Sequence, residues 1–427
     1  MAHLRERNLT TNTLNDSQMA KIHITLVGGQ PAPVYKGIID EQPDKVVLVC
    51  SSSTKEQAIT IANYIKDNKK KIAINTPGFT TPEFIYEEIE PLDNRKIVVD
   101  IECIDKKYLT DKDEVSVNIA GGTKPWSILF YSYFSEQANA TCFYIDQNDW
   151  KYKYDSSGSE PVIANAPLDI DGTFDLHNVQ VIKNVNYSLY DQSDFDAIEK
   201  IHEIRDYNKE QFRQLTATYS KYCDDCRKQK KRGLLPKVQN VFYFKDSKGN
   251  TYKNVFMRWD GGSKSFHFKL YNDIYGEDEW DVCSTRIDKL LENTGWFELE
   301  VAHLLRRWKP NARIRLNCVF SFKPRNPQAN PINEIDIIVE VGQKFLFVEC
   351  KTGVRYEKIT DVDKFNEAVK NYGGTASKPA FFTYEENTNV QRKCEKAHML
   401  YVCLQDIQNY DALFKQLDEY MKATNTR

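Results

Sequence analysis

The sequence predicts an α/β protein, with a doubly wound, mostly parallel sheet in its first domain and a second α/β domain near its C-terminus. Between residues 21 and 145, short apolar runs alternate with segments of helical periodicity, as in parallel strands joined by helical crossovers. Farther along, two apolar runs flank Gly342 and Gln343, a dipeptide suited to a two-residue hairpin turn. The 427 residues are enough for two or three domains with sizeable cores.

The strands of the first domain are predicted from continuous apolar runs, which are typical of strands buried on both faces. Helical periodicity appears in residues 124–137 and in residues 54–68, where Thr54 and Gln57 have the spacing of a capping box. The predicted strands span residues 22–27, 45–50, 71–75, 96–101, 115–120 and 141–146.

The order of these patterns predicts four segments. Residues 1–18 show neither helical nor strand periodicity, and we expect a disordered leader or a segment foreign to the natural protein. Residues 19–165 are the first domain, residues 166–290 a connector with a charged helix and a β-hairpin, and residues 291–427 the second domain. In the second domain we expect helices at 295–308 and 361–372, a terminal helix, and strands at 313–322, 380–384 and 399–403 besides the hairpin.

Composition and charge exclude several classes of protein. The formal net charge is −3, so any surface for nucleic acid must be local rather than spread over the whole molecule. No apolar run approaches the ~18 residues that a membrane span needs, and the N-terminus lacks the apolar region of a secretory signal. The 10 cysteines are scattered, which favours reduced thiols. Together these features predict a cytoplasmic protein.

The predicted hairpin carries charged residues among apolar ones. With a two-residue turn, the register places Asp336 directly opposite Glu349, and the alternation of side chains puts Lys351 on the same face. Facing residues have Cβ atoms only ~4.5–5.5 Å apart, so two carboxylates there repel each other. Raised pKa values or a bound divalent cation would relieve the repulsion. The alternative is a solvated hairpin face with unrelated charges.

The predicted helix 295–308 adds a further carboxylate. Glu298 lies on the flank of the apolar stripe of this helix, where a metal or Lys351 would be a suitable partner. Glu300 lies on the opposite side, where we expect water. The alternative for Glu298 is that it reaches water at the edge of the stripe. The stripe consists of Phe297, Val301, Leu304 and Trp308, flanked by Ala302 and Leu305.

Three loops of small residues follow predicted strands of the first domain: GGQPAP at 28–33, SSST at 51–54 and GGTK at 121–124. Ligands of open parallel sheets bind at the carboxyl ends of the strands, and a helix N-terminus favours phosphate. Lys124 adds a positive charge, so the loops predict a phosphate-bearing ligand; the alternative is that Gly and Ser are ordinary turn residues. The loops match neither a GxGxxG nor a Walker A pattern, which argues against NAD and ATP.

Two further motifs carry weaker signals. Cys223 and Cys226 form a CxxC motif without a second pair, so we interpret it as part of a solvated helix rather than as a zinc or redox site. The basic run at 227–232 is likewise interpreted as a solvated face.

Taken together, these motifs resemble a known architecture. A helix with Glu298, a strand with Asp336 and a strand with an ExK motif at 349–351 resemble the core of the PD-(D/E)xK, or restriction-endonuclease-like, nucleases. Ile335 replaces the proline of that pattern. The first domain, with VGGQPAP and NIAGGTKPWS, resembles the Rossmann-like CARF sensor domain. The combined order resembles the accessory nucleases of type III CRISPR systems.

The resemblance implies a homodimer that binds a cyclic oligoadenylate, with cyclic tetra-adenylate as the expected ring, across the interface of its CARF domains. Binding would activate cleavage of single-stranded DNA, RNA or both, and some members of the family nick duplex DNA. The implied ligand contacts are Gly28, Gly29, Ser51, Ser52, Ser53, Gly121, Gly122, Thr123 and Lys124.

The resemblance also implies the roles of the second-domain residues. Lys351 would orient or activate the attacking water and offset the charge of the phosphate. The implied catalytic residues are Glu298, Asp336, Glu349 and Lys351, and the implied ligands of Mg²⁺ or Mn²⁺ are Glu298, Asp336, Glu349 and the carbonyl of Cys350. Two other functions stay open: a non-catalytic sensor or regulator, and an enzyme that degrades the cyclic oligoadenylate itself.

Overall fold

The protein was analysed as a computed structural model, which describes residues 19–146, 149–154, 158–228, 240–322, 333–353, 360–407 and 409–423. The expected leader and most of the basic run at 227–232 lie outside these ranges. The chain divides into two compact units, residues 1–168 and 169–427, close to the predicted boundary after residue 165. In the described part of the chain, every helix is too short or too polar to cross a membrane.

The first unit is built on a mostly parallel sheet. Its strands are β1 Lys21–Leu26, β2 Lys45–Cys50, β3 Glu83–Glu88, β4 Glu114–Asn118, β5 Ala140–Ile145, β6 Trp150–Tyr154 and β7 Val162–Ile163. Its helices are α1 Pro31–Glu41, α2 Lys55–Asp67, α3 Lys69–Asn75, α4 Asn94–Tyr108 and α5 Lys124–Phe134. The strand order is β3-β2-β1-β4-β5-β6-β7, with β1 to β5 parallel and β6 and β7 antiparallel. The predicted Rossmann-like sheet is therefore confirmed.

Two predicted strands of the first unit are helices instead. Residues 71–75 lie in α3, where Ile72 is buried and Ile74 is exposed. Residues 96–101 lie in α4, whose N-cap Asp93 accepts hydrogen bonds from the Arg95 and Lys96 N–H groups. A short apolar run is compatible with either a helix or a strand. The capping residue and the packing of the run decide which of the two forms. The strand between these helices, β3, was missed because its sequence EFIYEE is half polar; it forms the edge of the sheet.

The second unit contains two sheets. Its strands are β8 Val179–Asn186, β9 Asn240–Lys245, β10 Thr251–Asp260, β11 Ser265–Asn272, β12 Gly276–Cys283, β13 Arg313–Phe322, β14 Asn333–Val341, β15 Lys344–Lys351, β16 Ser377–Thr383 and β17 Leu400–Cys403. Its helices are α6 Ile170–Leu176, α7 Gln192–Tyr207, α8 Lys209–Lys228, α9 Ile287–Leu291, α10 Gly295–Trp308, α11 Thr360–Gly373, α12 Thr388–Lys396 and α13 Tyr410–Lys422. One sheet has the order β12-β11-β10-β9 and the other β17-β16-β15-β14-β13-β8.

The predicted connector 166–290 is part of the second unit in the structure. Its first strand, β8, pairs with β13 of the six-stranded sheet, and its hairpin β9–β10 extends into the four-stranded sheet. The single charged helix that we predicted is two helices, because α7 ends at Asn208. The side chain of Asn208 donates a hydrogen bond to Tyr271 O and accepts one from Gln211 N–H, which fixes the turn between α7 and α8.

The six-stranded sheet separates two apolar cores. On one face, Ile337, Val339 and Val348 pack in the same core as the apolar stripe of α10, which is buried as predicted. On the other face, Ile338 and Phe347 pack with residues of α11 and α12. The hairpin β14–β15 is therefore buried on both sides, and α10 packs against both of its strands.

Candidate functional site

The hairpin brings Asp336 and Lys351 together, and Glu349 with them. Ile337 pairs with Val348 and Ile338 with Phe347, which is the register predicted from the two-residue turn. Lys351 Nζ lies 3.7 Å from Asp336 Oδ2 and donates a hydrogen bond to Glu349 Oε1.

At the end of the hairpin ladder, the Cys350 N–H donates to Asp336 Oδ2 at 2.7 Å. The Asp336 side chain thus continues the hydrogen-bond ladder after the last backbone pair. The ammonium of Lys351 lies between the carboxylates of Asp336 and Glu349.

Glu298 joins this cluster from α10. The helix packs against β13, β14 and β15, and Glu298 lies in its first turn. Burial, followed by the negative charge of Asp336, raises the pKa of Glu298 well above its ordinary value. Its Oε2 is buried and has no hydrogen-bond partner in the described part of the chain. The charge of Asp336 thus acts on Glu298, and one oxygen of Glu298 is available to a ligand.

The electrostatics of the cluster are dominated by burial. Burial, followed by the charge of Asp336, raises the pKa of Glu349 to about 7. Burial also raises the pKa of Asp336, although Lys351 and the Cys350 N–H oppose this change. Burial lowers the pKa of Lys351, but the carboxylates of Asp336 and Glu349 outweigh it, and its pKa is above the ordinary value. One ammonium does not balance three carboxylates, so the site favours a further positive charge.

A divalent cation fits the chemistry of this cluster. Three carboxylates, one of them with an unpartnered buried oxygen, are the hard ligands that Mg²⁺ and Mn²⁺ prefer. Within the described ranges, however, no three His, Cys, Asp or Glu side chains are arranged to hold a metal ion. The ammonium of Lys351 lies between Asp336 and Glu349 instead, so metal binding here requires its displacement from that position.

Glu300 is not the solvated residue that we expected. Its Oε1 lies 3.2 Å from His202 Nε2 of α7, and the side chain is half-buried. His303, one turn farther along α10, contacts Tyr187, whose hydroxyl lies 2.7 Å from His303 Nδ1. The sequence of α10 alone could not predict these partners, because they belong to the segment that we took for a connector.

Tyr384 is a neighbour of the cluster that sequence reasoning missed. Its N–H donates to the carbonyl of Lys351 at 3.1 Å, and its hydroxyl lies 3.1 Å from His202 Nδ1. The guanidinium of Arg205 lies over its ring at 3.9 Å. Through Tyr384, α7 is linked to the end of β15. The aromatic character of Tyr384 at the end of a predicted strand was the only signal in the sequence.

In the first unit, the three predicted loops lie at one edge of the sheet. They follow β1, β2 and β4, which are neighbours in the order β2-β1-β4. The loops after β1 and β4 touch through their backbones: a Cβ on Gly28 would lie 2.8 Å from Gly122 N, and one on Gly121 would lie 1.8 Å from Leu26 O. Glycine is thus required at Gly28 and Gly121 by close backbone packing, whatever the ligand. A Cβ on Gly29 would meet nothing within 4 Å.

The other loop residues differ in exposure. Ser52, Ser53 and Lys124 are exposed, whereas Ser51 is buried. Lys124 opens α5, and Thr123 caps this helix by accepting from the Trp126 N–H at 3.4 Å. The predicted capping box of α2 is absent, because the hydroxyl of Thr54 accepts from the Ser51 N–H instead.

Asn118 connects two of the loops and was not among the predicted residues. This fully buried side chain donates to Pro33 O at 3.0 Å and accepts from the Ala120 N–H at 3.0 Å. It therefore links the first turn of α1 to the loop after β4. A polar residue at the end of an apolar strand, two residues before AGGTK, was the signal in the sequence that could have identified it.

The first unit, which carries these three loops, is similar to a known protein family. Residues 22–160 match the Card1 CARF domain family. The match to this CARF family starts in β1 and ends beyond β6, so it includes all three loops. It covers about a third of the chain and leaves the second unit outside. No curated protein sequence matches the chain.

Two solved structures resemble nearly the whole chain. Protein VC1899 from Vibrio cholerae superimposes with a TM-score of 0.64 at 12% identity, covering 94% of this chain and 98% of its own. Can2 from Sulfobacillus thermosulfidooxidans, solved in complex with cyclic tetra-adenylate, gives a TM-score of 0.65 at 15% identity, covering 94% of this chain and 100% of its own. At these identities the likeness concerns the fold, which extends from the CARF region through the second unit.

Proposed function

We propose that this protein is a metal-dependent endonuclease that a cyclic oligoadenylate activates, and that it cleaves single-stranded DNA, RNA or both in cytoplasmic type III CRISPR defence. One observation carries the nuclease half of the proposal: Asp336, Glu349 and Lys351 lie together at the end of a buried hairpin, with Glu298 acting on the same cluster. Buried carboxylates with raised pKa values are typical of sites that bind a cation or a phosphate-bearing substrate.

The sensor half of the proposal rests on the first unit. Its match to the CARF family and the fold that it shares with Can2, whose structure contains cyclic tetra-adenylate, support a cyclic oligoadenylate as ligand. We propose that the ligand lies against the loops after β1, β2 and β4. The proposed contacts are Gly28, Gly29, Ser51, Ser52, Ser53, Gly121, Gly122, Thr123 and Lys124.

The second-unit residues have distinct roles in the proposed mechanism. Glu298, Asp336, Glu349 and the Cys350 carbonyl would hold Mg²⁺ or Mn²⁺, which when bound polarises the phosphate and lowers the pKa of a water ligand. Lys351 stays protonated near neutral pH, because its carboxylate neighbours raise its pKa. As an ammonium it donates hydrogen bonds, so it orients the attacking water and offsets the negative charge that develops on the phosphate.

The nuclease proposal is tested with the purified full-length chain. Labelled single- and double-stranded DNA and RNA are incubated with Mg²⁺ or Mn²⁺, with and without cyclic oligoadenylates of each ring size. We expect cleavage that needs both the metal and one of the rings, and none from the Lys351→Ala variant. A protein that binds the ring but never cleaves would be a regulator. Chromatography follows the amount of intact cyclic oligoadenylate. If the protein consumes it while the nucleic acid stays intact, the protein is an enzyme that degrades the cyclic oligoadenylate.

The sensor proposal is tested by calorimetry on two charge-reversal variants. Lys124→Glu places a negative charge at the N-terminus of α5, where a phosphate is expected. It should weaken the binding of the cyclic oligoadenylate at least tenfold. Lys112 is also exposed but precedes β4 at the other end of the strand, so Lys112→Glu should bind like the wild type. Unchanged affinity in Lys124→Glu would mean that the ligand lies elsewhere.

A further inference from the structure

Within the part of the chain that the structure describes, the four-stranded sheet β9–β12 packs one of its faces against a core. Phe242, Met257 and Phe268 point into the core that also contains residues of α7 and α8. Because side chains alternate along a strand, their neighbours Tyr243 and Phe256 point to the opposite face. Tyr243 is 41% exposed, so this outer face is open to solvent.

Three aromatic rings cross this outer face in a line, which we call the aromatic row: Tyr243 of β9, Phe256 of β10 and His267 of β11. Tyr243 is the cross-strand partner of Phe256, with ring centroids 6.2 Å apart. The rings of Phe256 and His267 are 5.8 Å apart. A solvent-facing sheet surface is usually polar, so a row of rings across three strands needs a physical reason.

The basic side chains on this outer face differ in whether they have a hydrogen-bond or ion-pair partner. His267 Nδ1 lies 3.0 Å from Asp281, and Lys269 Nζ lies 2.9 Å from Glu279, so strand β12 supplies a partner to each of these side chains. Arg258 lies between His267 and Val241 in the cross-strand register. Its side chain forms no hydrogen bond or salt bridge within the described ranges, although its charge acts on the nearby Asp260 of β10. The guanidinium N–H groups of Arg258 are therefore donors that an external anion can use.

We infer that the outer face of β9–β11 binds single-stranded nucleic acid, with bases stacked on Tyr243 and Phe256 of the aromatic row and a phosphate paired with Arg258. Aromatic rings at a surface offer bases a stacking platform without sequence preference, and the guanidinium of Arg258 supplies hydrogen-bond donors and charge for a backbone phosphate. The acidic residues of β12 border the surface and repel phosphate, which keeps the strand on the β9 and β10 side. This surface goes beyond the proposed nuclease site, because binding here requires neither a metal nor cleavage.

The test is fluorescence anisotropy with labelled single-stranded RNA and DNA, on the full chain in EDTA so that no cleavage occurs. We expect Tyr243→Ser to weaken binding at least fivefold, and Tyr243→Leu, which keeps an apolar side chain but removes the ring, to do the same. Arg258→Ser should weaken binding and reduce the slope of log affinity against log salt by about one. The matched control is Tyr275→Ser, which alters a 74% exposed tyrosine in the turn between β11 and β12, outside the aromatic row. It should bind within twofold of the wild type.

Several results would overturn this inference. Wild-type affinity in both Tyr243 variants would mean that the rings only stabilise the sheet by cross-strand packing. A change in molecular mass by light scattering, without a change in affinity for nucleic acid, would identify a protein-binding surface instead. The two proposals can fail separately. If binding depends on Tyr243 but the protein never cleaves, only the nuclease proposal is wrong. If the protein cleaves but binding does not depend on Tyr243, only the proposed binding surface is wrong.

Discussion

Burial and the negative charge of Asp336 act in the same direction on the carboxyl groups of Glu349 and Glu298. At Asp336 itself, burial raises the pKa, whereas Lys351 and the Cys350 N–H oppose this change. Each of the three has a raised pKa, and burial is the largest cause in every case. Lys351 is the ammonium in contact with two of them. In the absence of metal, these carboxylates therefore destabilise the fold by their charge, while Asp336 also stabilises it by accepting the hydrogen bond of the Cys350 N–H.

This balance predicts opposite effects for two substitutions of Asp336. Asp336→Asn removes the charge and keeps an acceptor for the Cys350 N–H, so the free energy of unfolding without metal should hold or rise. Asp336→Ala leaves that N–H buried without a partner and should cost about 1–3 kcal/mol. Denaturant unfolding in EDTA measures both. Equal loss of stability in the two variants would show that the hydrogen bond is unimportant. Neither variant should cleave nucleic acid.

Glu298 and Glu300 provide a matched pair on one helix. Successive helical residues turn by about 100°, so the two side chains point roughly 160° apart. Glu298→Gln removes a carboxylate from the proposed metal site and should reduce cleavage at least tenfold, the scale of ~1.4 kcal/mol of transition-state stabilisation. Glu300→Gln can keep its contact with His202 and should leave the cleavage rate within about twofold. If Glu300→Gln were the damaging change, the proposed site would be wrong.

His23 makes stability depend on pH. It is fully buried between β1 and α1, its Nδ1 lies 2.8 Å from Ser116 Oγ, and burial lowers its pKa to about 4. The charged groups around it are Glu41, Lys151, Lys21 and Asp40. A histidine that is neutral in the fold, but protonated below about pH 6.5 when unfolded, contributes stability that is fully present above pH 6.5. That contribution is lost as the pH falls from about 6.5 towards 4, at up to ~1.4 kcal/mol per pH unit.

The measurement compares the wild type with His23→Gln by denaturant unfolding between pH 4.5 and 7.5. The glutamine does not titrate, so the free energy of unfolding of the variant should fall less steeply below about pH 6.5. All other titrating groups are common to both proteins and cancel in the difference. Parallel curves would mean that His23 accepts a proton within the fold.

At the scale of elements, the loops after β1 and β4 are held at a distance that only glycine allows. Gly121 and Gly28 pack against backbone, and Asn118 ties the same loops together by two hydrogen bonds. This edge of the sheet is therefore a packed assembly of loops rather than a set of independent turns.

Gly121→Ala should disrupt this assembly. The new Cβ would lie 1.8 Å from the carbonyl of Leu26, which belongs to β1 and cannot move freely. We expect a loss of about 1–3 kcal/mol in the free energy of unfolding, the usual cost of overpacking, together with weaker binding of the cyclic oligoadenylate. Gly29→Ala is the control, because its Cβ meets nothing within 4 Å and thermal stability should be unchanged. Equal melting temperatures of the two variants would contradict the packing argument.

For the whole molecule, two exposed apolar residues of the first unit lie close to one of the predicted loops, and the proposed homodimer would use them as its interface. Ile128 of α5 is 63% exposed and follows Lys124 by one helical turn, and Leu92 is 71% exposed. Leu92 follows Pro91, whose carbonyl accepts from the Thr123 hydroxyl at 3.0 Å. Both residues therefore border the loop at 121–124, and exposed apolar patches of this kind mark protein interfaces.

Ile128→Glu tests whether the protein is a homodimer through this surface. A charge buried in an apolar interface is costly, so we expect a mass of one chain by light scattering and a loss of activation by the cyclic oligoadenylate. Ile74→Glu is the matched control, since Ile74 is 80% exposed on α3 and distant in sequence from the loops. A dimer that persists in Ile128→Glu would place the interface elsewhere.

Much of the fold and of the candidate site could be predicted from the sequence. The hairpin register followed from a two-residue turn, because strand alternation propagates from the turn without further information. Helix 295–308 and strand 313–322 have the predicted bounds, because their apolar periodicities differ clearly. Residues 71–75 and 96–101 were assigned wrongly, because a short apolar run has no period of its own.

The sequence by itself determined the class of the fold, the loops at one edge of the first sheet and the residues on one face of the hairpin. These depend on local periodicity and turn chemistry, which neighbouring residues specify. Only the tertiary structure decided that Tyr384 and His202, 182 positions apart, meet beside Lys351, and that Glu300 faces α7 rather than water. Contacts between distant segments depend on how whole elements pack, and no local pattern in the chain encodes that packing.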